Sequence, residues 1–115
     1  MRPIIVTVGP SAADNTRSTL VRMDEWAGPN IAIQCTVSGT VNYTIQSSLD
    51  DPNDPSQPVA EASMTWVNSA DAAAVGATGT IQTNYFFVPR FISLFKNSGN
   101  GTVTMTVLQS GVTPL

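Results

Sequence analysis

Short segments in which apolar and polar residues alternate run along most of the chain, and they constrain its fold more than any other feature. Residues 31–37, 41–47 and 102–109 show the alternation most clearly. A period of two residues is typical of a β-strand that buries one face. Helical patterns are nearly absent, because the longest Ala-rich stretch, residues 70–77, is interrupted by Asp and Gly. We therefore expect an almost entirely β structure.

The candidate strands follow one another closely enough to fill one domain. About seven to eight of them in a chain of 115 residues predict an antiparallel β-sandwich or jelly roll. We expect a single domain over residues 1–115, with flexible N- and C-terminal tails. The candidate strands are residues 4–8, 18–23, 31–37, 41–47, 62–68, 79–83, 91–96 and 102–109.

Two short turns predict β-hairpins. Residues 38–40 separate the third and fourth candidate strands, and residues 97–101 separate the last two. In the first hairpin we expect the apolar residues of the two strands to lie opposite each other: Ile31, Ile33, Cys35 and Val37 on one strand, and Val41, Tyr43 and Ile45 on the other. In the last strand, Val103, Met105 and Val107 should point inward, and Thr102, Thr104 and Thr106 should line the outer face.

The composition is poor in charge. Charged residues make up 11% of the chain, less than half the usual share of about 25%, so Thr, Ser, Asn and Gln supply most of the polar surface. Such a surface loses little when another protein covers it. The alternative is that these hydroxyls and amides only keep the protein in solution. A net charge of −3 offers no footprint for phosphate backbones, so we expect no nucleic-acid partner.

The absence of His is the strongest argument against catalysis. Without His the chain cannot form a Ser-His-Asp or Cys-His pair, so we expect no enzyme activity and no cofactor. The lone Cys35 excludes an internal disulfide, and its place in an alternating segment predicts a small core residue rather than a reactive thiol. No apolar run has the length of a membrane span and no signal peptide is evident, so we expect synthesis in a cytoplasm and no membrane partner.

Two other features are candidates for binding. The Pro-rich loop at residues 48–58 carries Asp50, Asp51 and Asp54, whose oxygens suit calcium. The spacing matches no EF-hand, so we expect a solvated acidic turn, with a calcium site as the alternative. Trp26 follows Asp24 and Glu25 in a predicted loop, where burial or an interface is expected before sugar binding. The remaining aromatic side chains are expected to fill the core.

The last quarter of the chain carries a family resemblance. Residues 88–95, Val-Pro-Arg-Phe-Ile-Ser-Leu-Phe, and residues 97–109, which begin Asn-Ser-Gly-Asn-Gly, make up about a fifth of the chain. They resemble the closing hairpin of small β-sandwich proteins from tailed bacteriophages. Among those proteins, the capsid cement or decoration proteins are most similar in size and character.

The resemblance implies a non-enzymatic structural protein of the virion, made in the host cytoplasm. Such a protein binds the outer surface of the phage capsid and stabilises contacts between major capsid protein subunits. It also implies self-association as a homodimer or homotrimer. We expect Trp26, Arg90, Thr104 and Thr106 to lie in interfaces, with Arg90 in an ion pair. The alternative is a phage fibre, tail or lectin-like binding module that recognises a glycan or protein through Trp26, Tyr85 and the acidic loop.

Overall fold

The chain folds into two antiparallel β-sheets that pack face to face. The structure is a computed structural model, and it describes residues 3–9, 13–24 and 30–109. This architecture confirms the predicted all-β sandwich, with nine strands rather than seven or eight. The strands are β1 (Ile4–Val8), β2 (Thr16–Arg17), β3 (Val21–Arg22), β4 (Ile31–Ser38), β5 (Val41–Ser48), β6 (Val67–Asn68), β7 (Ile81–Tyr85), β8 (Phe91–Gly99) and β9 (Thr102–Gln109).

Sheet 1 contains four strands in the order β1-β9-β4-β7. Sheet 2 contains the other five strands: β6, β5 and β8 lie side by side, and β2 and β3 both pair with the far edge of β8. The predicted strand over residues 18–23 is thus two short strands, displaced toward the N-terminus. The segment between them leaves the ladder at Ser18, whose backbone N–H donates to the Leu94 carbonyl at 2.8 Å and whose hydroxyl accepts from the Leu94 N–H at 3.0 Å.

The core lies between the two sheets and is built from the inward residues of the longest strands. Cys35 and Tyr43 are fully buried, which confirms Cys35 as a core residue. The Tyr43 hydroxyl donates to the Gly79 carbonyl at 2.6 Å, so this buried polar group is satisfied. The predicted inward residues of the last strand are also buried, as are the central residues of the other long strands: Ile31, Ile33, Val41, Ile45, Ile92, Leu94, Val103, Met105 and Val107.

Both predicted hairpins are wrong. Strands β4 and β5 follow each other in sequence but lie in different sheets, and so do β8 and β9. The long ladders instead join β4 to β9 and β5 to β8. Alternation of apolar residues looks the same in either arrangement, because it shows which face is inward and not which strand lies alongside. The apolar residues of β4 and β5 therefore meet across the core rather than across a ladder.

The β4–β5 and β8–β9 turns both cross between the sheets, and they lie against each other at one end of the sandwich. The Gly101 N–H donates to the Thr40 carbonyl at 2.7 Å. Gly39 and Gly99 adopt positive φ values of 84° and 103°, which favour glycine. A Cβ atom on Gly99 would approach the Thr40 oxygen to 2.5 Å, and one on Gly101 would approach the Ser38 oxygen to 2.7 Å. The glycines thus allow the two turns to approach each other closely. The amino-acid composition of these turns would suit hairpins equally well.

The remaining strand predictions hold to different extents. Residues 4–8 and 102–109 match β1 and β9, whereas only the end of the predicted strand at 62–68 is extended, as β6. The connection at residues 49–66 contains no strand, in agreement with its prolines, and short 3₁₀ turns occur at Glu61–Ser63 and Ala72–Ala74. No helix in the described ranges is long and apolar enough to cross a membrane.

Candidate interaction surface

The four strands of sheet 1 contain no Asp, Glu, Lys or Arg. The outward positions of these strands carry only hydroxyl, amide and aliphatic side chains. Burial of the alternate residues in the core fixes which side chains point outward. We call this surface the uncharged face; it consists of Ile5, Thr7, Ala32, Gln34, Thr36, Gln82, Asn84, Thr104, Thr106 and Leu108.

Aliphatic groups are exposed on the uncharged face. Ile5 is 62% exposed and Leu108 is 45% exposed. Between β4, β7 and β9 the face contains a shallow depression of about 450 Å³, lined in part by Gln34, Thr106 and Leu108. Apolar contacts with a partner are therefore available on an otherwise polar sheet.

Polar side chains on this face pair with each other. The Thr7 and Thr104 hydroxyl oxygens lie 3.3 Å apart, and the Gln82 side-chain N–H donates to the Gln34 side-chain oxygen at 3.0 Å. A polar group that keeps a hydrogen bond when water leaves costs far less to bury than an unpaired one. The uncharged face also has no charge to desolvate. A partner can therefore cover it at a small cost in free energy.

The outer face of sheet 2 is covered by the protein itself. Thr44, Ser48 and Ser93 point away from the core, yet they are only 5%, 3% and 0% exposed. The Gly76 N–H donates to the Thr44 hydroxyl at 3.0 Å, and the Arg17 guanidinium donates to the Ser93 hydroxyl at 2.7 Å. Described segments outside the long strands therefore cover the outward hydroxyls of this sheet.

Arg17 contacts several side chains that pack on the outer face of sheet 2. Its guanidinium carbon lies 4.1 Å from the centre of the Trp66 ring and 5.0 Å from that of Phe95. The same guanidinium donates to the Gln46 side-chain oxygen at 2.7 Å. These contacts join β2, β5, β8 and the segment that precedes β6, and they place a cation against the Trp66 ring where a sugar would otherwise stack.

Arginine side chains neutralise the acidic loop. Asp51 is 4% exposed and lies 2.9 Å from Arg22, and Asp54 lies 2.6 Å from Arg90. The hydrogen bond from Arg90, assisted by backbone N–H groups, lowers the pKa of Asp54 to about 2. Backbone hydrogen bonding from Asn53, followed by Arg22 and Arg90, also lowers the pKa of Asp51.

This arrangement leaves the acidic side chains poorly placed for calcium. Asp50 turns to the Thr65 backbone N–H, which donates to its carboxylate at 2.6 Å. Among the described residues no group of three or more Asp, Glu, Cys or His side chains is positioned to hold a metal ion. The carboxylates that suggested calcium in the sequence thus attach the loop to β3 and to the start of β8.

A second exposed apolar area lies at the β6 edge of sheet 2. Leu49, Val67 and Phe87 line a cleft of about 320 Å³ that also contains the Asp50 carboxylate. Phe86 and Phe87 are 77% and 55% exposed, so the expectation that these aromatics fill the core is wrong. They follow β7 at the end of its ladder, beyond the last residue that the sheet buries.

The predicted site residues fall in different parts of the molecule. Thr104 and Thr106 lie on the uncharged face, whereas Arg90 lies in the loop cluster with Asp51 and Asp54. Tyr85 is 4% exposed, so it is unavailable for the glycan contact that the alternative function assigned to it. Trp26 lies outside the described residues. The uncharged face as a whole was missed, because recognising it requires knowing which four strands share a sheet.

Comparisons with known proteins add no family. No protein-family model matches the chain, and no curated protein is significantly similar to it. The surfaces of the molecule are therefore the basis for the function proposed below.

Proposed function

We propose that the chain is a non-enzymatic structural protein of a bacteriophage virion. In this role it binds the outer surface of the capsid and stabilises contacts between major capsid protein subunits. The uncharged face of sheet 1 makes the contact, with Thr104 and Thr106 near its centre. The phage partner is proposed from the sequence resemblance of residues 88–109 alone, since β8 and β9 lie in different sheets and do not form the hairpin that the resemblance implied. The binding surface is proposed from the structure.

The observation that carries the proposal is the segregation of charge. The described charged residues lie in sheet 2 or in connections, and none lies in a strand of sheet 1. A face that exposes aliphatic groups without charge resembles the centre of a protein interface, where charged residues are depleted. The cleft beside Val67 is less suitable, because covering it would desolvate the Asp50 carboxylate.

The size of the face indicates how such a protein would bind. Two strands of eight residues and two of five, about 4.8 Å apart and rising about 3.3 Å per residue, give a geometric area of roughly 400 Å². A stable interface buries about 800 Å² on each partner. One uncharged face therefore provides a weak contact, and tight attachment to a shell requires several faces acting together.

Co-sedimentation tests the proposal directly. Purified protein is mixed over a range of concentrations with undecorated shells assembled from the major capsid protein of the phage that encodes it. The proposal predicts saturable binding at a fixed ratio to capsid subunits. Absence of binding to correctly assembled shells would reject the capsid role.

The alternative ligand-binding function has a different signature. A glycan that binds the folded chain would raise its melting temperature progressively as the ligand concentration increases above the dissociation constant. Arg17 occupies one side of the Trp66 ring and Tyr85 is buried, so we expect a glycan screen to leave the melting temperature unchanged. A reproducible, saturable rise with one glycan would favour the lectin-like module.

A further inference from the structure

The four edges of the two sheets are protected to different degrees. A free edge strand exposes unpaired backbone N–H and C=O groups, and proteins protect such edges by short length, charge or cover. In the described part of sheet 2, β6 has two residues, and β2 and β3 have two residues each with Arg17 and Arg22 among them. These edges are short or charged and offer little to another strand.

In sheet 1 the β7 edge is also protected. The Thr83 hydroxyl donates to the Asp71 carboxylate at 2.7 Å, and the 3₁₀ turn at Ala72–Ala74 packs beside β7 with Ala74 fully buried. Asp71 in turn accepts from the Ala73 N–H at 3.0 Å, which fixes the turn in place. A charged residue and a packed turn therefore block this edge.

Strand β1 has none of these protections. Its five residues, Ile4–Val8, are all β-branched, and its pairing with β9 continues without a bulge or a proline. Within the described ranges no strand pairs with its other edge. The strand thus combines strong β propensity, no charge and a free row of backbone groups.

We propose that β1 pairs antiparallel with β1 of a second copy, around a two-fold axis at Val6. In two paired antiparallel strands, directly opposed side chains lie on the same face of the sheet. A two-fold axis perpendicular to the sheet must therefore set one residue opposite its own copy, rather than pass between two neighbouring residues of the strand. Only an axis at Val6 pairs all five residues. It sets Ile5 opposite Thr7 of the second copy on the outer side and Ile4 opposite Val8 on the core side.

This register contains no unfavourable pair. Val6 and Val8 are buried on the core side, and Ile5 and Thr7 are exposed on the outer side. Each residue therefore meets one from the same face of the strand, and no charge opposes another. Cross-strand pairs of β-branched residues are the favourable unit of sheet pairing.

The dimer would join the two copies of sheet 1 into one sheet of eight strands. Both uncharged faces would lie on the same side, which doubles the roughly 400 Å² of one face to about 800 Å², the area that a stable interface buries on each partner. Dimerisation is a property of the free protein, so it is measured without shells. Its failure would leave the capsid proposal to be tested separately.

Sedimentation equilibrium of charge variants tests the register. I5K/T7K places Lys opposite Lys twice in the dimer and is expected to raise the dimer dissociation constant about tenfold or more. I5K/T7E places Lys opposite Glu in the same positions and should stay within about threefold of the wild type. Thermal melts of both variants confirm that the fold is kept.

Cysteine cross-linking gives a second readout. Opposed residues of antiparallel strands lie about 4.5 to 5.5 Å apart at Cα, which a disulfide spans. An oxidised mixture of I5C and T7C chains should form a mixed disulfide, and neither variant should cross-link efficiently alone. Cys35 does not compete, because burial raises the pKa of its thiol to about 12 and the side chain is fully buried.

Three outcomes would overturn the dimer. The first is a wild-type chain that stays monomeric up to about 1 mM, a concentration at which even weak association is seen. The second is equal weakening by I5K/T7K and I5K/T7E, which would show no dependence on this register. The third is a mixed I5C and T7C sample that cross-links no faster than either variant alone.

Discussion

The outer faces of the two sheets differ, although both belong to long antiparallel strands of one small domain. On sheet 2, even outward hydroxyls such as Ser93 are fully buried, and Arg17, Arg22 and Arg90 attach the connecting segments to the strands. On sheet 1, Ile5 and Leu108 are exposed and no charge is present in the strands. The difference shows that Arg17, Arg22 and Arg90 hold the parts of the molecule around sheet 2 together, while the outer face of sheet 1 is the surface that we propose for a partner.

The largest effect on stability is expected from removing Arg17 from the outer face of sheet 2. Arg17→Ala removes the two hydrogen bonds that the guanidinium donates to Gln46 and Ser93, and the stacking on Trp66 and Phe95. We expect a loss of about 2 to 3 kcal/mol in unfolding free energy, measured by urea denaturation. Arg17→Lys keeps the charge but not the planar stacking, so it should fall between wild type and Arg17→Ala. A loss below about 0.5 kcal/mol, the range of ordinary surface changes, would show that Arg17 does not hold the covering segments.

Low pH should weaken the ion pairs of Asp51 and Asp54 with the arginine side chains. The pKa values of Asp51 and Asp54 are lower in the folded chain than in the unfolded chain, so their ion pairs contribute fully above the ordinary Asp pKa of about 3.9. That contribution is lost as pH falls through the folded values, about 2 for Asp54. We expect the melting temperature to fall between pH 5 and pH 2, and to fall less steeply in D51N/D54N. Parallel curves for the two proteins would contradict the role of these carboxylates.

Changes on the uncharged face should leave stability almost unaltered. Thr104→Lys and Thr106→Lys alter half-buried side chains on the outer surface, where substitutions usually change stability by no more than about 0.5 kcal/mol. Urea denaturation checks this expectation for each variant. A loss of about 2 kcal/mol or more would mean that these positions support the fold.

The smallest effect is expected from salt. Binding through a face without charge gives salt nothing to screen, so shell affinity should change less than about threefold between 50 and 500 mM NaCl. The measurement is co-sedimentation at the two salt concentrations. A steep fall in affinity would place the contact on charged residues of sheet 2 or of the loops.

Sequence patterns predicted the layer structure better than the connections. Alternation identified the inward residues of β9, Val103, Met105 and Val107, because burial of one face requires it. It failed to place β4 and β5 in different sheets, because a glycine turn at Gly39 suits a hairpin and a crossover equally well. The structure packs Gly39 against the turn around Gly101, a contact between residues far apart in sequence that local patterns do not reveal.

The candidate surface was predicted only in part for a related reason. Thr104 and Thr106 were identified from one strand, but Gln34, Gln82 and Ile5 join them only because β4, β7 and β1 share their sheet. The Arg22 and Arg90 contacts that neutralise Asp51 and Asp54 span 29 to 39 residues in sequence. No local spacing rule detects such pairs.

Shell binding by two matched double variants tests the central claim most directly. T104K/T106K adds two charges to the uncharged face, and V67K/F86K adds two charges at exposed apolar residues outside that face, one in β6 and one after β7. The proposal predicts that T104K/T106K keeps its fold but no longer co-sediments with undecorated shells, while V67K/F86K binds like the wild type. Retained binding by T104K/T106K, or loss of binding only in V67K/F86K, would contradict it.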